Sequence, residues 1–207
     1  MTCTDWHSLI PLLPRLQRPL RVAMPCVGID GCGTALDAMG VDFIPCNVYD
    51  LDARYKDHLV EHFKNPADGL FLGKREGDLT KLELEDLKLP IELLCSGPPC
   101  PPWAGNGNKC GQQDDRAGVF VSVVKWVVHT IKHGGLIAVI LENVKGVLQS
   151  IGGAPSFMKR LLMILQKEVP EFHWGGGGYR VPDAYKSFPI AHLLSHRPPI
   201  PQIDTTN

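Results

Sequence analysis

Short apolar runs that end in a turn and give way to helical stretches recur from about residue 21 onward. This alternation constrains the fold more than any other feature of the chain. Arg21–Val27 is the first run; it ends at Gly28 and a helical stretch follows from about Gly33 to Met39. Asp42–Tyr49 reads as a second strand. Ala53–Phe63 has helical spacing, with Leu59 and Phe63 four apart. Leu70–Gly77 is a weaker third strand, and Ile91–Ser96 a fourth that runs into Gly97-Pro98-Pro99. The length of Val119–Ile131 favours a buried helix over a strand. Leu136–Leu141 is a buried strand and Ser156–Glu168 an amphipathic helix. Strand and helix in alternation predict an α/β fold, a mostly parallel sheet with helices on both faces. In such sheets ligands bind at the carboxyl ends of the strands.

At 207 residues the chain is long enough for one domain with a substantial core. The expected division is an irregular leader over residues 1–20, a core over 21–174 and an irregular Gly/Pro-rich tail over 175–207. The tail opens with the run Gly175–Gly178 and then carries scattered prolines. A formal net charge of −1 argues against a chain that grips a long stretch of nucleic acid by charge alone. The seven cysteines include no Cys-x-x-Cys pair. They read as free thiols of a reducing compartment, with Cys100 set apart. Asp5, Pro11 and Pro14 interrupt the N-terminal apolar stretch, so it does not read as a signal peptide. No apolar run is long enough to span a membrane. The expectation is an intracellular protein, nuclear if the source is a eukaryote.

Five constellations carry chemistry. Cys26-Val-Gly28-Ile29-Asp30-Gly31 links the first strand to the first helix, where glycine lets the backbone approach a nucleotide-like ligand. Asp50 ends the second strand, 22 residues after Gly28, where a carboxylate suits two ribose hydroxyls; it serves equally as a helix-start carboxylate beside Asp52. Gly77-Asp78-Leu79 follows the third strand, and Asp78 there can accept from an adenine amino group or cap a helix. Four prolines surround the single thiol of Cys100 in Gly97-Pro98-Pro99-Cys100-Pro101-Pro102-Trp103. A stiff loop that presents a thiol is what covalent catalysis needs. Glu142-Asn143-Val144 follows the fifth strand and puts a carboxyl group beside an amide, able to stay protonated against an aromatic base. The pairs His58/His62, His129/His133 and His192/His196 have helical spacing. None has the Glu of a zinc-protease helix, and they read as helix surface, with no metal site.

In this order the five elements resemble the DNA cytosine-5 methyltransferase family. Gly28-Ile29-Asp30-Gly31 looks like its first cofactor turn, with Cys26 where the family usually has Phe and Asp30 where it often has Gly. Asp50 looks like the ribose-binding acid, with Leu51 in place of the usual aromatic residue beside adenine. Gly77-Asp78-Leu79 looks like the adenine contact. Gly97-Pro98-Pro99-Cys100 resembles the nucleophile loop, with Pro101 in place of the common Gln. Asp115-Arg116-x-Gly118 resembles the segment that opens the next helix, and Glu142-Asn143-Val144 the catalytic acid motif.

The resemblance spans roughly residues 21–172 and implies a Rossmann-like, S-adenosylmethionine-dependent methyltransferase fold. It further implies catalysis by Cys100 and Glu142 on a cytosine flipped out of DNA, with no metal required. Cofactor contacts are expected from Gly28, Ile29, Asp30, Gly31, Asp50, Leu51, Asp78, Leu79 and Pro99. Past Trp174 no counterpart of the family's Gln-x-Arg-x-Arg motif, recognition domain or C-terminal pocket segment is legible. The expectation is therefore a core truncated after catalysis, weak on DNA alone, with a protein partner that supplies the missing recognition elements. Two other readings stand beside it. One is an adenine amino-methyltransferase, from the near match of Cys100-Pro101-Pro102-Trp103 to a polar-Pro-Pro-aromatic loop. The other is an inactive module that binds a cofactor or a partner.

Overall fold

The computed structural model describes residues 18–63, 70–101, 116–150, 153–178 and 190–196. Its first half runs β1 (Leu20–Pro25), α1 (Gly31–Ala38), β2 (Phe43–Asp50), α2 (Lys56–Phe63), β3 (Leu70–Leu72) and the single turn α3 (Gly73–Glu76). Then come β4 (Leu93–Ser96), α4 (Ala117–His133), β5 (Ala138–Val144), α5 (Phe157–Glu168), β6 (His173–Gly178) and β7 (Ile190–His196). The strands form one sheet in the order β3-β2-β1-β4-β5-β7-β6. β1 pairs in parallel with both β2 and β4, β2 with β3, and β4 with β5. β7 runs antiparallel to β5 and to β6. The chain winds outward from β1 through β2 and β3, then crosses back to β4. A crevice therefore opens at the carboxyl ends of β1 and β4, where the winding reverses.

The helices follow from their apolar spacing. α4 buries Phe120, Val123, Val124, Val127 and Ile131, a stripe with helical period, and stops at Gly134, whose N–H reaches Thr130 O. α5 starts at Ser156, whose hydroxyl accepts from Lys159 N at 3.2 Å, and buries Phe157, Met158, Leu161 and Leu165. With β5 these two helices enclose the larger core, around Phe120, Trp126, Val139 and Leu141. On the other sheet face α1 and α2 pack Leu36, Leu59 and Phe63 over Val22, Met24 and Val48. Along β5 buried and half-buried residues alternate, as a strand with one well-covered face requires.

The structure departs from the sequence reading at several places, and Glu142-Asn143-Val144 closes β5 rather than following it. The third strand is only Leu70–Leu72, and the chain turns into α3 at Gly73, whose φ of 87° few other residues adopt. The run Gly175–Gly178, read as the start of an irregular tail, is instead the body of β6, and Ile190–His196 is β7. Glycine lacks side chains to pack, so its strand propensity is poor. Backbone pairing of Gly175 with Leu194 and Gly177 with His192 still places the run in the sheet. His192 and His196 therefore belong to a strand, not to a helix. At the other end Leu20 already belongs to β1, and Arg18 donates from Nη1 to Glu92 at 2.8 Å, so the last residues of the expected leader join the sheet's rim. No helix among the described residues is long and apolar enough to cross a membrane.

Candidate active site

The turn from β1 to α1 is fixed to the end of β2. Val27 N donates to Tyr49 O at 3.1 Å, and Gly28 N to Asp50 Oδ2 at 2.8 Å. The other Asp50 oxygen accepts from Asp52 N at 2.8 Å, so one carboxylate ties the glycine turn to the loop leaving β2. Gly28 has φ 56°, and a Cβ there would meet nothing within 4 Å. Its backbone conformation, not crowding, selects glycine, and the space above the turn is open to a ligand.

Asp30 is a special case. It caps α1 from a left-handed backbone conformation, Oδ1 accepting from Gly33 N at 2.7 Å, and is 1% exposed. Its other oxygen lies 3.0 Å from His62 Nε2 on α2. Burial pushes the Asp30 carboxyl up from its ordinary range, against the opposing pull of Gly33 N–H and His62. The side chain is thus engaged inward, and what Asp30 offers the crevice is its backbone. Gly33 makes this possible, because a Cβ there would run into the Asp30 carboxylate.

Two adjoining cavities open on the crevice. The larger, about 550 Å³, is lined by Ile29, Asp30, Gly31 and Glu142 among others. The smaller, about 230 Å³, is lined by Asp50, Leu51, Asp78, Leu79 and Pro99. Cys26, Gly28 and Gly97 border both. All nine residues read from the sequence as cofactor contacts therefore reach one cavity or the other. Gly77 sets the shape of the smaller one. A Cβ on it would run into the Asp50 carbonyl oxygen and lie 2.7 Å from the Asp50 carbonyl carbon. Only glycine lets the chain pass this close and deliver Asp78 beside Asp50. Asp78 accepts from Thr80 Oγ1 at 2.6 Å and lies 3.0 Å from Lys81 Nζ, and these partners, Thr80 first, hold its carboxyl below the usual range. Leu51 is 52% exposed, an apolar side chain held at the cavity rim.

The cysteine loop leaves β4 between two anchors. Ser96 Oγ donates to Pro25 O at 2.6 Å and fixes β4 to the end of β1. Asn143 Nδ2 donates to Pro98 O at 2.9 Å, and Asn143 Oδ1 accepts from Val144 N at 2.9 Å, in a buried position. Asn143 thus joins the acid motif at the end of β5 to the loop carrying Cys100. Glu142 stands on the same side, 3.2 Å from where a Cβ on Gly97 would lie. Cys100 is a half-buried free thiol two residues beyond Pro98. Pro102, Trp103 and Asp115 lie outside the described residues.

Sequence reading singled out Asn143 only as the neighbour of Glu142, placed His62 on a helix surface, and gave no role to Ser96 or Gly33. A buried amide between an acid and a valine at a strand end was the available signal for Asn143; His62 carried none, since its partner is 32 residues away. Two of the other cysteines also differ from the expectation of free thiols, whereas Cys26 is free as expected. Cys32 in α1 and Cys95 in β4 are joined as a disulfide, with Cα atoms 6.4 Å apart. The first turn of α1 lies across the end of β4, a juxtaposition no spacing in the sequence discloses.

Cys26, at the border of both cavities, is poorly suited to act as a nucleophile. Burial, and then the charge of Asp50, push its thiol up to about 12, with the Ser96 hydroxyl opposing. Iodoacetamide near neutral pH is therefore expected to alkylate Cys100 well before Cys26. Peptide mapping by mass spectrometry checks this, and faster labelling of Cys26 would contradict the account.

Comparison with known proteins agrees with this geometry. The family model of C-5 cytosine-specific DNA methylases matches residues 26–167, more than half of the chain. The type II methyltransferase M.DsaV of Dactylococcopsis salina is 28% identical over 113 residues, 55% of this chain and 30% of that protein. The methyltransferase EhMeth of Entamoeba histolytica superposes with a TM-score of 0.61 at 16% identity, over 88% of this chain and 54% of its own. Dnmt2 methyltransferase of S. pombe gives 0.58 at 16% identity, over 87% and 51%. The chain spans about half of these two structures and less than a third of the curated relative. The fold is the Rossmann-like fold of S-adenosylmethionine-dependent methyltransferases. With the glycine turn, the cysteine loop and the Glu-Asn-Val strand end gathered on one crevice, the chain belongs to the family of C-5 cytosine-specific DNA methylases.

Proposed function

We propose that this chain transfers a methyl group from S-adenosylmethionine to C5 of cytosine in DNA, with Cys100 as nucleophile and Glu142 as the acid that holds the base. The observation that carries the reading is the Asn143–Pro98 hydrogen bond, which links the Glu142 strand end to the Cys100 loop beside the larger cavity.

The residues present fit the cofactor. The turn above Gly28 is open, Gly77 leaves room only for a hydrogen, and the two cavities share Cys26, Gly28 and Gly97 as a common border. Asp50 would accept from the ribose hydroxyls, Leu51, Leu79 and Pro99 would flank the adenine, and Asp78 would receive its amino group. The larger cavity, bordered by Ile29, Asp30 and Gly31, would take the amino-acid end. When bound, S-adenosylmethionine supplies an electrophilic methyl group.

The remaining chemistry belongs to this chain and the base. C5 of cytosine is a poor nucleophile until a group adds at C6. The Cys100 thiolate forms the Sγ–C6 bond, and the electron pair of the C5–C6 double bond becomes available at C5. Glu142 hydrogen-bonds N3 and the exocyclic amine and stabilises the electron-rich ring. After methylation a solvent base removes the C5 proton, its bonding pair re-forms C5–C6, and the Sγ–C6 bond breaks to return the thiolate. Mass analysis of DNA methylated by the chain tests the reaction: 5-methylcytosine is expected, and N6-methyladenine would show the adenine chemistry instead.

Asp50→Ala is expected to weaken S-adenosylmethionine binding by roughly 1.5–3 kcal/mol, about 10- to 150-fold, through lost hydrogen bonds to a charged acceptor. Unchanged affinity in calorimetry would remove Asp50 from the ribose role. DNA binding by the chain alone is expected to be weak, because with a net charge of −1 few phosphates can be neutralised. A partner chain that contributes DNA contacts is expected to raise tritiated methyl transfer to cytosine-rich duplex at low salt. A rate already high and insensitive to added partners would contradict this.

A further inference from the structure

On the sheet face away from the cofactor crevice, α4 and α5 leave a groove of about 540 Å³ between them. Its floor is apolar: Val121, Val124 and Val128 from α4, and Phe157, Leu161 and Ile164 from α5. On each helix these positions follow the three- and four-residue spacing of one stripe. Val121 is 48% and Ile164 53% exposed, large apolar side chains facing each other across the groove in water. Its rim is basic, with Lys125, His129, Lys132 and His133 on the α4 wall and Arg160 on the α5 wall. Glu168 is the one carboxylate among the groove's described lining residues, and it already lies 3.4 Å from Lys132 Nζ. Arg160 Nε is buried and has no hydrogen-bond partner among the described residues. A buried guanidinium N–H calls for an acceptor.

We propose that this groove docks an acidic amphipathic helix of a protein partner, its apolar ridge between α4 and α5 and its carboxylates on Lys125 and Arg160. The stripe from Val121 to Lys132 covers about 17 Å, the length of roughly three helical turns. Two parallel apolar stripes receive a third helix by ridge-into-groove packing. The rim decides the occupant. A second copy of this chain would set Lys125, Lys132 and Arg160 against their own counterparts, an arrangement that like charges disfavour. A nucleic-acid backbone would meet the basic rim but leave the apolar floor wet, whereas a helix with leucines on one face and glutamates beside them covers both.

The test uses two labelled helical peptides, with leucines at i, i+3, i+4 and i+7 flanked by glutamates in one and by lysines in the other. Fluorescence anisotropy is read against the full 207-residue chain. The glutamate peptide is expected to bind and the lysine peptide not. Lys125→Glu and Arg160→Glu are each expected to weaken the glutamate peptide by about tenfold or more, with S-adenosylmethionine binding unchanged. Lys125 is exposed, so its variant reads the groove even where Arg160→Glu fails to fold. Equal binding of both peptides, or no binding of either, overturns the proposal. So does displacement of the peptide by duplex DNA that is itself lost in Lys125→Glu, which assigns the groove to nucleic acid. Self-association in sedimentation that Val121→Glu abolishes overturns it as well, in favour of a second copy.

Discussion

Gly77→Ala is expected to lower the melting temperature by roughly 2–12 °C and to abolish measurable S-adenosylmethionine binding. The added Cβ has nowhere to go. It would run into the Asp50 carbonyl oxygen and lie 2.9 Å from the Phe71 carbonyl oxygen, and both obstacles are backbone that no rotamer change can move. Relief requires the loop after α3 to move away from the ends of β2 and β3, which pair through Asp50 and Leu72. Overpacking of this kind costs about 1–3 kcal/mol, and more where the neighbours are rigid. In a chain of this size each kcal/mol lowers the midpoint by about 2–4 °C. The same displacement separates Asp50 from Asp78, so binding suffers beyond the loss of stability. Gly77→Ser would clash in the same way. Differential scanning calorimetry with a cofactor titration checks both effects, and an alanine variant with wild-type stability would show that position 77 does not require glycine.

Cys100→Ser is expected to reduce methyl transfer by at least about 10⁴-fold with cofactor affinity unchanged. A serine hydroxyl keeps its proton near neutral pH far more firmly than a thiol, and it adds poorly to C6. Cys100 lines neither cavity, so its replacement should leave the bound cofactor untouched. The split between the two readouts is the informative part. A parallel loss of affinity would make Cys100 a structural residue of the loop, and retained transfer would move the nucleophile elsewhere.

Much of this architecture was legible in the sequence because the physical signal was local. Val123, Val127 and Ile131 announce α4 by spacing, and Val139 and Leu141 announce a buried strand by composition. Asp50 was legible as a carboxylate one strand and one helix beyond the glycine turn, and Cys100 as a thiol among prolines. The residues that escaped act across the fold. Asn143 reaches Pro98 over 45 residues, and Ser96 reaches Pro25 over 71. Cys32 meets Cys95 over 63. None of these distances leaves a pattern in a single sequence. β6 escaped for the opposite reason: its local signal, four glycines, points to a loop, and pairing with β7 overrides it.

The most direct test of the central claim is covalent trapping on DNA that contains 5-fluorocytosine, in the presence of S-adenosylmethionine. Fluorine at C5 cannot leave as a proton does, so the Sγ–C6 bond persists once formed, and even a slow enzyme accumulates adduct with time. Peptide mapping by mass spectrometry then identifies the attached residue. The account predicts a denaturation-resistant protein–DNA adduct at Cys100, with the methyl group on the fluorinated base, and no adduct from Cys100→Ser. An adduct at another cysteine, or none from a chain that binds both S-adenosylmethionine and the fluorinated DNA, would contradict it.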